Sequence, residues 1–345
     1  MRRSHRHVIA ICLLLAALVG LAPATTMAAP PPPPLVAVIL PRDNARFQAI
    51  HATFLKRFDD VISAGGKPRL YVQTPNPDVM SLRNSIRKAV ALGADLMVVY
   101  GTLAATAALQ EDFTEPLIFA GVFEPAAMGL APSNRKKDNL ITGVHGHAPV
   151  QTLLKVLQET IGTSRLAVPV DLKSPAGKVQ IEVLNKAACR RAPGATSSTA
   201  VSAGQGGELC WLEVVPTGMQ TSAGLIKALQ AVTGQYNAIY LGDLIPNDAF
   251  AADLLAYAAR AGVPVVSQFS GTAEQGALIT LEADSEEQGE LLAQIARKII
   301  HGELPEDIPL VIPRKVSLVV NLKVARDLGI QVPFSVLTQA NRVVR

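Results

Sequence analysis

Residues Ala94–Leu109 read ADLMVVYGTLAATAAL. The apolar run Leu96–Tyr100 has the length of a strand and no polar alternation. It stops at Gly101 and passes into an alanine-rich segment of helical composition. A strand that is apolar on both faces and turns at once into a helix marks a βα unit in a parallel sheet covered on both sides. The junction itself allows two readings. A helix starting at Thr102 offers free N–H groups, a hydroxyl and the positive end of a helix dipole, which suits an anion. Equally, Thr102 is a helix N-cap and Gly101 only eases the turn.

The pattern recurs on both sides of this stretch. LVAVIL (Leu35–Leu40), RLYVQ (Arg69–Gln73), PLIFAGVF (Pro116–Phe123) and LITGVHG (Leu140–Gly146) are further strand-like runs. Between the first two, Phe47, Ile50, Phe54, Phe58 and Val61 recur at helical spacing. Downstream, RLAVPVD, GELCWLEVVP, YNAIYLGD, VPVVSQF and GALITLEA alternate with helical segments, among them GKVQIEVLNKAACRR and SEEQGELLAQIARKIIHGE. Two successive βα series predict an α/β protein of two doubly wound parallel-sheet lobes. The expected lobes are 35–145 plus 268–305 and 146–267 plus 306–345, with SGTAEQG (Ser270–Gly276) as a crossing between them.

The N-terminus precedes this architecture. MRRSHRH is basic, VIAICLLLAALVGLA is apolar and shorter than a membrane span needs, and TTMAA offers small residues for cleavage after Ala28. Residues 1–28 are therefore expected to be a signal peptide, and the proline run ending at Pro34 (29–34) a stiff spacer. Cleavage removes Arg2, Arg3 and Arg6 and no acid, so the 32 basic and 28 acidic residues of the full chain become nearly balanced. No basic stripe with interleaved aromatics occurs, which argues against nucleic acid. Cys189 and Cys210 remain, bracketing PGATSSTAVSAGQGG (Pro193–Gly207). In an oxidising compartment such a pair bonds, at a gain of roughly 3 kcal/mol; two free thiols are the other reading.

Ligands of open parallel sheets bind at the carboxyl ends of the strands. The expected binding residues are therefore Arg42 and Asn44 after the first strand, Gly101 and Thr102 after the third, Glu124 after the fourth, and, in the second lobe, Asp171 and Asp243. Asp243 and Glu124 would suit an ammonium group. No nucleophile elbow, phosphate loop or dinucleotide fingerprint accompanies them. His145 and His147 share one side of an extended segment, but a metal site needs a further ligand and none is indicated. The chain is read as a non-enzyme without cofactor or metal.

The C-terminal third resembles a known pattern. Gly276, Gly289, Gly302, Pro305, Asn321, Ala325, Leu328, Gly329 and Pro333 fall where the substrate-binding proteins of ABC importers, in the branch with tryptophan- and tyrosine-type binding components, have them. ADLMVVYGTLAATAAL, PLIFAGVFEPAAMGL and NLITGVHGHAPVQTLLKVLQE resemble further units of that family. The resemblance implies the type I periplasmic binding fold, two lobes joined by three crossover segments, one ligand in the cleft and no chemistry. It implies that Gly101, Thr102, Phe123 and Glu124 line one side, that Asp243, Ile245 and Asn247 face them, and that Ser270 and Thr272 come from a crossing. Two departures stand out: VPVDLKSP after the first strand of the second lobe, and the cysteine-bracketed insertion. The implied protein is a periplasmic monomer that captures a small organic solute, an amino acid or related carboxylate, for an inner-membrane ABC permease. The same fold also serves sensory or assembly modules that signal to a membrane partner.

Overall fold

The first sheet shows why its strands are apolar without alternation. In β1 (Leu35–Ile39), Val36 and Val38 enter one core cluster while Ala37 and Ile39 enter another. One cluster holds Ile50, Phe54 and Phe58 of α1 (Ala45–Phe58). The other holds Leu82, Ile86 and Ala89 of α2 (Val79–Ala91). Successive side chains of a strand point to opposite faces, so a strand between two helical layers must be apolar at every position. β2 (Arg69–Gln73), β3 (Leu96–Tyr100), β4 (Leu117–Val122) and β5 (Ile141–His145) complete a five-stranded parallel sheet of order β2-β1-β3-β4-β5. Helix α3 (Thr102–Ala108) follows β3.

The computed structural model describes residues 31–62, 66–130, 140–146, 148–162, 165–171, 173–191, 208–210, 212–218, 221–242 and 244–345. The expected signal peptide, Pro193–Gly207, His147 and Asp243 lie outside the described residues. Pro33–Arg345 forms one compact unit.

After β5 the chain enters the second lobe with α4 (Val150–Ile161) and β6 (Arg165–Val170). Helix α5 (Pro175–Ala188) then ends one residue before Cys189, where the sequence reading continued it. Instead β7 (Cys189–Arg191) pairs antiparallel with β8 (Glu208–Cys210), which sets Cys189 directly opposite Cys210. The single strand expected over GELCWLEVVP is thus divided into β8 and β9 (Glu213–Gly218). There follow α6 (Ser222–Ala231), β10 (Ala238–Leu241), α7 (Asp248–Ala261), β11 (Val265–Ser267), the short α8 (Thr272–Gln275) and β12 (Ile279–Ala283). The C-terminal elements are α9 (Ser285–Ile300), β13 (Val316–Asn321), α10 (Leu322–Asp327), α11 (Phe334–Gln339) and β14 (Arg342–Val344). The second sheet has seven strands in the order β14-β13-β12-β11-β10-β6-β9.

Two expectations need correction. β12 belongs to the second sheet, between β11 and β13, so residues 268–305 are not a single block of the first lobe. The chain crosses after β5, after β12 and again between Val311 and β13. Val311 bridges Val144 of the first lobe. Ser270–Gly276 is accordingly no crossing: it lies between β11 and β12 within one sheet. The route also explains the one antiparallel neighbour in this sheet. The chain leaves β12 at its carboxyl end, forms α9 against the first lobe and re-enters from that side, so β13 runs back along β12. Helix α9 lies close on α1 because Gly289 has no side chain: a Cβ there would sit 2.5 Å from the carbonyl oxygen of Ile50.

Candidate functional site

Helices that follow strands bring their first turns to the carboxyl edge of each sheet. At that edge a cavity of about 640 Å³ is lined from both lobes. The first lobe supplies Pro41, Phe47, Asp78 and the Tyr100–Leu103 junction, and the second supplies Asp171, Ser174–Ala176, Leu244–Pro246 and Phe250. The volume falls in the range of small-molecule sites, and the mixture of apolar walls with few polar groups is typical of them.

The opening junction has a definite geometry. Gly101 adopts φ +86°, and a Cβ on it would lie 2.4 Å from Cζ of Phe47. Glycine is needed here twice, for its backbone conformation and to let the Phe47 ring close the cavity wall. Thr102 is 4% exposed, and its hydroxyl accepts the backbone N–H of Phe123 at 2.8 Å. The hydroxyl therefore ties β3 to the end of β4 rather than capping its own helix. Helix α3 has no side-chain cap. The other helices that start at the cavity are capped by their own residues: Asp78 accepts from Ser81, Ser174 from Gly177 and Asn247 from Phe250.

Behind this wall Tyr100 is fully buried, and its hydroxyl lies 3.0 Å from Nδ1 of buried His51. The rings meet edge to face at 5.5 Å. Burial pushes the Tyr100 hydroxyl well above its usual pKa and the His51 imidazole below its own. The two remain a neutral pair. The cavity itself carries two carboxylates, Asp78 and Asp171, and no Lys, Arg or His among its described lining residues. The N–H of Ser81 holds the Asp78 carboxyl below its ordinary value. A negative, mostly apolar cavity suits a solute with an ammonium group and an apolar body.

Of the residues expected from sequence, Gly101, Thr102, Asp171 and Ile245 line the cavity. The others do not. Arg42 is exposed and turned toward the loop after β2, donating from its backbone N–H to Pro75 at 2.9 Å. Asn44 caps α1 by accepting from Phe47 at 3.1 Å, and Asn247 caps α7 by accepting from Phe250 at 2.9 Å. Phe123 is buried, and Glu124 stands beside it in a left-handed conformation at φ +41°. Thr272 is buried and donates its hydroxyl to the carbonyl of Phe269 at 2.6 Å, while Ser270 is half-buried in the same turn. The lining residues not singled out as binding residues from the sequence include Phe47, Asp78, Ser174 and Phe250. Asp78 follows β2 in TPNPD, a strand end like the others.

Residues 208–344 match the family described as ABC transporter substrate binding protein. A curated relative, the tyrosine-binding protein of Clostridioides difficile, is 20% identical over 284 residues, covering 81% of this chain and 76% of its own. Among solved structures, a conserved domain protein from Vibrio cholerae superposes with a TM-score of 0.76 at 20% identity, over 90% of this chain and 99% of its own. An ABC domain from Streptococcus pneumoniae in complex with L-Trp gives 0.73 at 18%, over 91% and 100%. A ligand-free, open substrate-binding protein with adhesive properties from Clostridium difficile gives 0.60 at 20%, over 90% and 99%. The family match is thus confined to residues 208–344, and what the chain as a whole shares with these solved structures is the type I periplasmic binding fold.

Proposed function

We propose that the protein captures a small amino-bearing solute with an apolar body, an amino acid or a close relative, and presents it to an inner-membrane ABC permease. The observation that carries this reading is the cavity of about 640 Å³ shared by both lobes, apolar apart from a few polar groups and the two carboxylates. In this reading Asp171 and Asp78 receive the ammonium group, the uncapped start of α3 faces the solute's polar end, and Phe47, Ile245 and Phe250 hold its body. The relatives bind L-Trp or are named for tyrosine, which supports an amino-acid ligand. The protein works without chemistry and as a monomer, in the periplasm after loss of residues 1–28. No helix among the described residues is long and apolar enough to cross a membrane.

The same setting supports a Cys189–Cys210 disulfide. Directly opposed residues of an antiparallel pair have Cα separations compatible with a disulfide, and the two cysteines are such partners. It would close the base of the 193–207 insertion.

The test is calorimetric titration of ligand-free, refolded protein with single amino acids, the matching amines and the matching carboxylates. The reading expects amino-bearing apolar compounds to bind and the carboxylates lacking nitrogen to fail. The reverse order would discard the role given to Asp78 and Asp171.

A further inference from the structure

The two helices that begin at the opposed rims complete each other's hydrogen bonding. Every α-helix starts with backbone N–H groups that have no partner inside the helix. In α1 the cap residue Asn44 satisfies only Phe47. The N–H of Ala45, the first helical residue, is taken by Oδ2 of Asp248 at 2.8 Å, from the other lobe and 203 positions away. In α7 the cap residue Asn247 satisfies only Phe250. The N–H of Asp248, again the first helical residue, donates to the carbonyl of Asp43 at 2.9 Å, back in the first lobe. Asp43 adopts φ +56°, a left-handed conformation that aspartate tolerates. The Asp248 carboxylate also stands at the positive end of α1.

The contact has flanking support. The Arg46 guanidinium lies 5.0 Å from the ring centroid of Phe47 and 5.1 Å from that of Phe269, so it is wedged between an aromatic of each lobe. Ala176 and Val179 of α5 pack against the core cluster of the first lobe. Asp43, Ala45, Arg46, Asp248 and Phe269 are not among the residues that line the cavity.

We propose that Asp248 is a closure residue: its reciprocal hydrogen bonds with Ala45 and Asp43 hold the lobes together and so set ligand affinity, although it touches no ligand. The inference rests on the cavity being a solute site, since a site formed by two lobes binds only in the closed population. The apparent dissociation constant rises as that population falls. When the lobes part, the Ala45 N–H, the Asp248 carboxylate and the Asp43 carbonyl all pass to water, so the clasp biases closure by a modest, tunable amount. That leaves room for release.

Two variants test it from opposite sides. Asp248→Ala removes the acceptor. Ala45→Pro removes the donor at the first helical position, where proline is well tolerated, and Asn44 at φ −134°, ψ 99° already has the conformation required before proline. Each is titrated with L-tyrosine and L-tryptophan, and in parallel the inter-lobe distance is read by double electron–electron resonance between labels on α2 and α6, without added ligand. Each variant is expected to weaken binding about fivefold, the worth of a typical net hydrogen bond. The double variant should be no weaker than either one, and the distance distribution of all three should shift toward longer separations. Wild-type affinity together with a wild-type distance distribution in Asp248→Ala would overturn the clasp. If neither amino acid binds the wild type, the ligand assignment fails, and the distance measurement still decides the clasp on its own.

Discussion

The hydroxyl of Thr102 accepts the backbone N–H of Phe123 at 2.8 Å, and both residues are buried. This bond fixes the end of β4 against the start of α3. Removing the acceptor strands an N–H group away from water, which costs about 1–3 kcal/mol. Thr102→Val, nearly the same shape, should therefore lower unfolding stability by that amount in urea titrations. Thr102→Ser, which keeps the oxygen, should stay close to wild type.

Gly101 is predicted to be less tolerant still. Gly101→Ala meets both a φ of +86° and the Phe47 ring, whose Cζ would lie 2.4 Å from the new methyl group. Alanine at positive φ is strained even in open space, and here the ring cannot retreat without reshaping the cavity. A loss of more than about 1 kcal/mol is expected by thermal or chemical unfolding. Pairing the change with Phe47→Leu should recover part of the loss, because the clash goes and the backbone strain stays.

Asn321 links three elements. Its Oδ1 accepts from Val324 at 2.9 Å to cap α10, and its Nδ2 donates to the carbonyl of Ala273 in α8 at 2.7 Å. The side chain is buried at the end of β13, so the sequence pattern that singled out this asparagine has a structural cause. Asn321→Ala removes a cap and leaves a buried carbonyl without its donor. A destabilisation of about 2 kcal/mol or more is expected. Asn321→Asp keeps the cap and loses the donor, and should fall between.

Acid should weaken the fold in two stages. Burial lowers the His51 pKa from 6.5, so the native state resists its protonation. Glu111 is held below 4.5 by its bonds to Arg87, at 2.6 Å, and to Arg83. Both groups bind fewer protons folded than unfolded in these windows. Their contributions are complete above about pH 6.5 and 4.5 and decline as pH falls toward the lowered native values. Melting temperature measured from pH 7 to pH 3 should drop in both windows. His51→Gln should flatten the upper drop and Glu111→Gln the lower one, each judged by slope within its own curve.

Much of this architecture is legible in the chain because burial on two faces leaves a plain mark. β1, β3 and β4 read as unbroken apolar runs, and α1 carries Phe47, Ile50, Phe54 and Phe58 at helical spacing. β14 is three residues long and β7 begins at a cysteine that also fits a helix, so neither has a period to reveal it. The site was legible by place rather than by role. Strand ends led to Gly101, Thr102 and Asp171, and the family resemblance to Ile245, all on the cavity. Strand ends also chose Asn44, and the resemblance Asn247, whose side chains turn back to cap their own helices. A sequence does not say whether such an oxygen faces a ligand or the next turn of backbone. Phe47 escaped because its place at the wall depends on Gly101, far from it in sequence.

The central claim is that a small amino-bearing solute is held between the lobes. Isothermal titration of the ligand-free protein with L-tyrosine, L-tryptophan, L-leucine and phenethylamine tests it most directly. At least one should bind with a dissociation constant below about 1 mM, and at a hundred times that constant should raise unfolding stability by ~2.7 kcal/mol. Absence of heat and of any stability shift across all four, in protein shown to be folded by circular dichroism, would contradict the account.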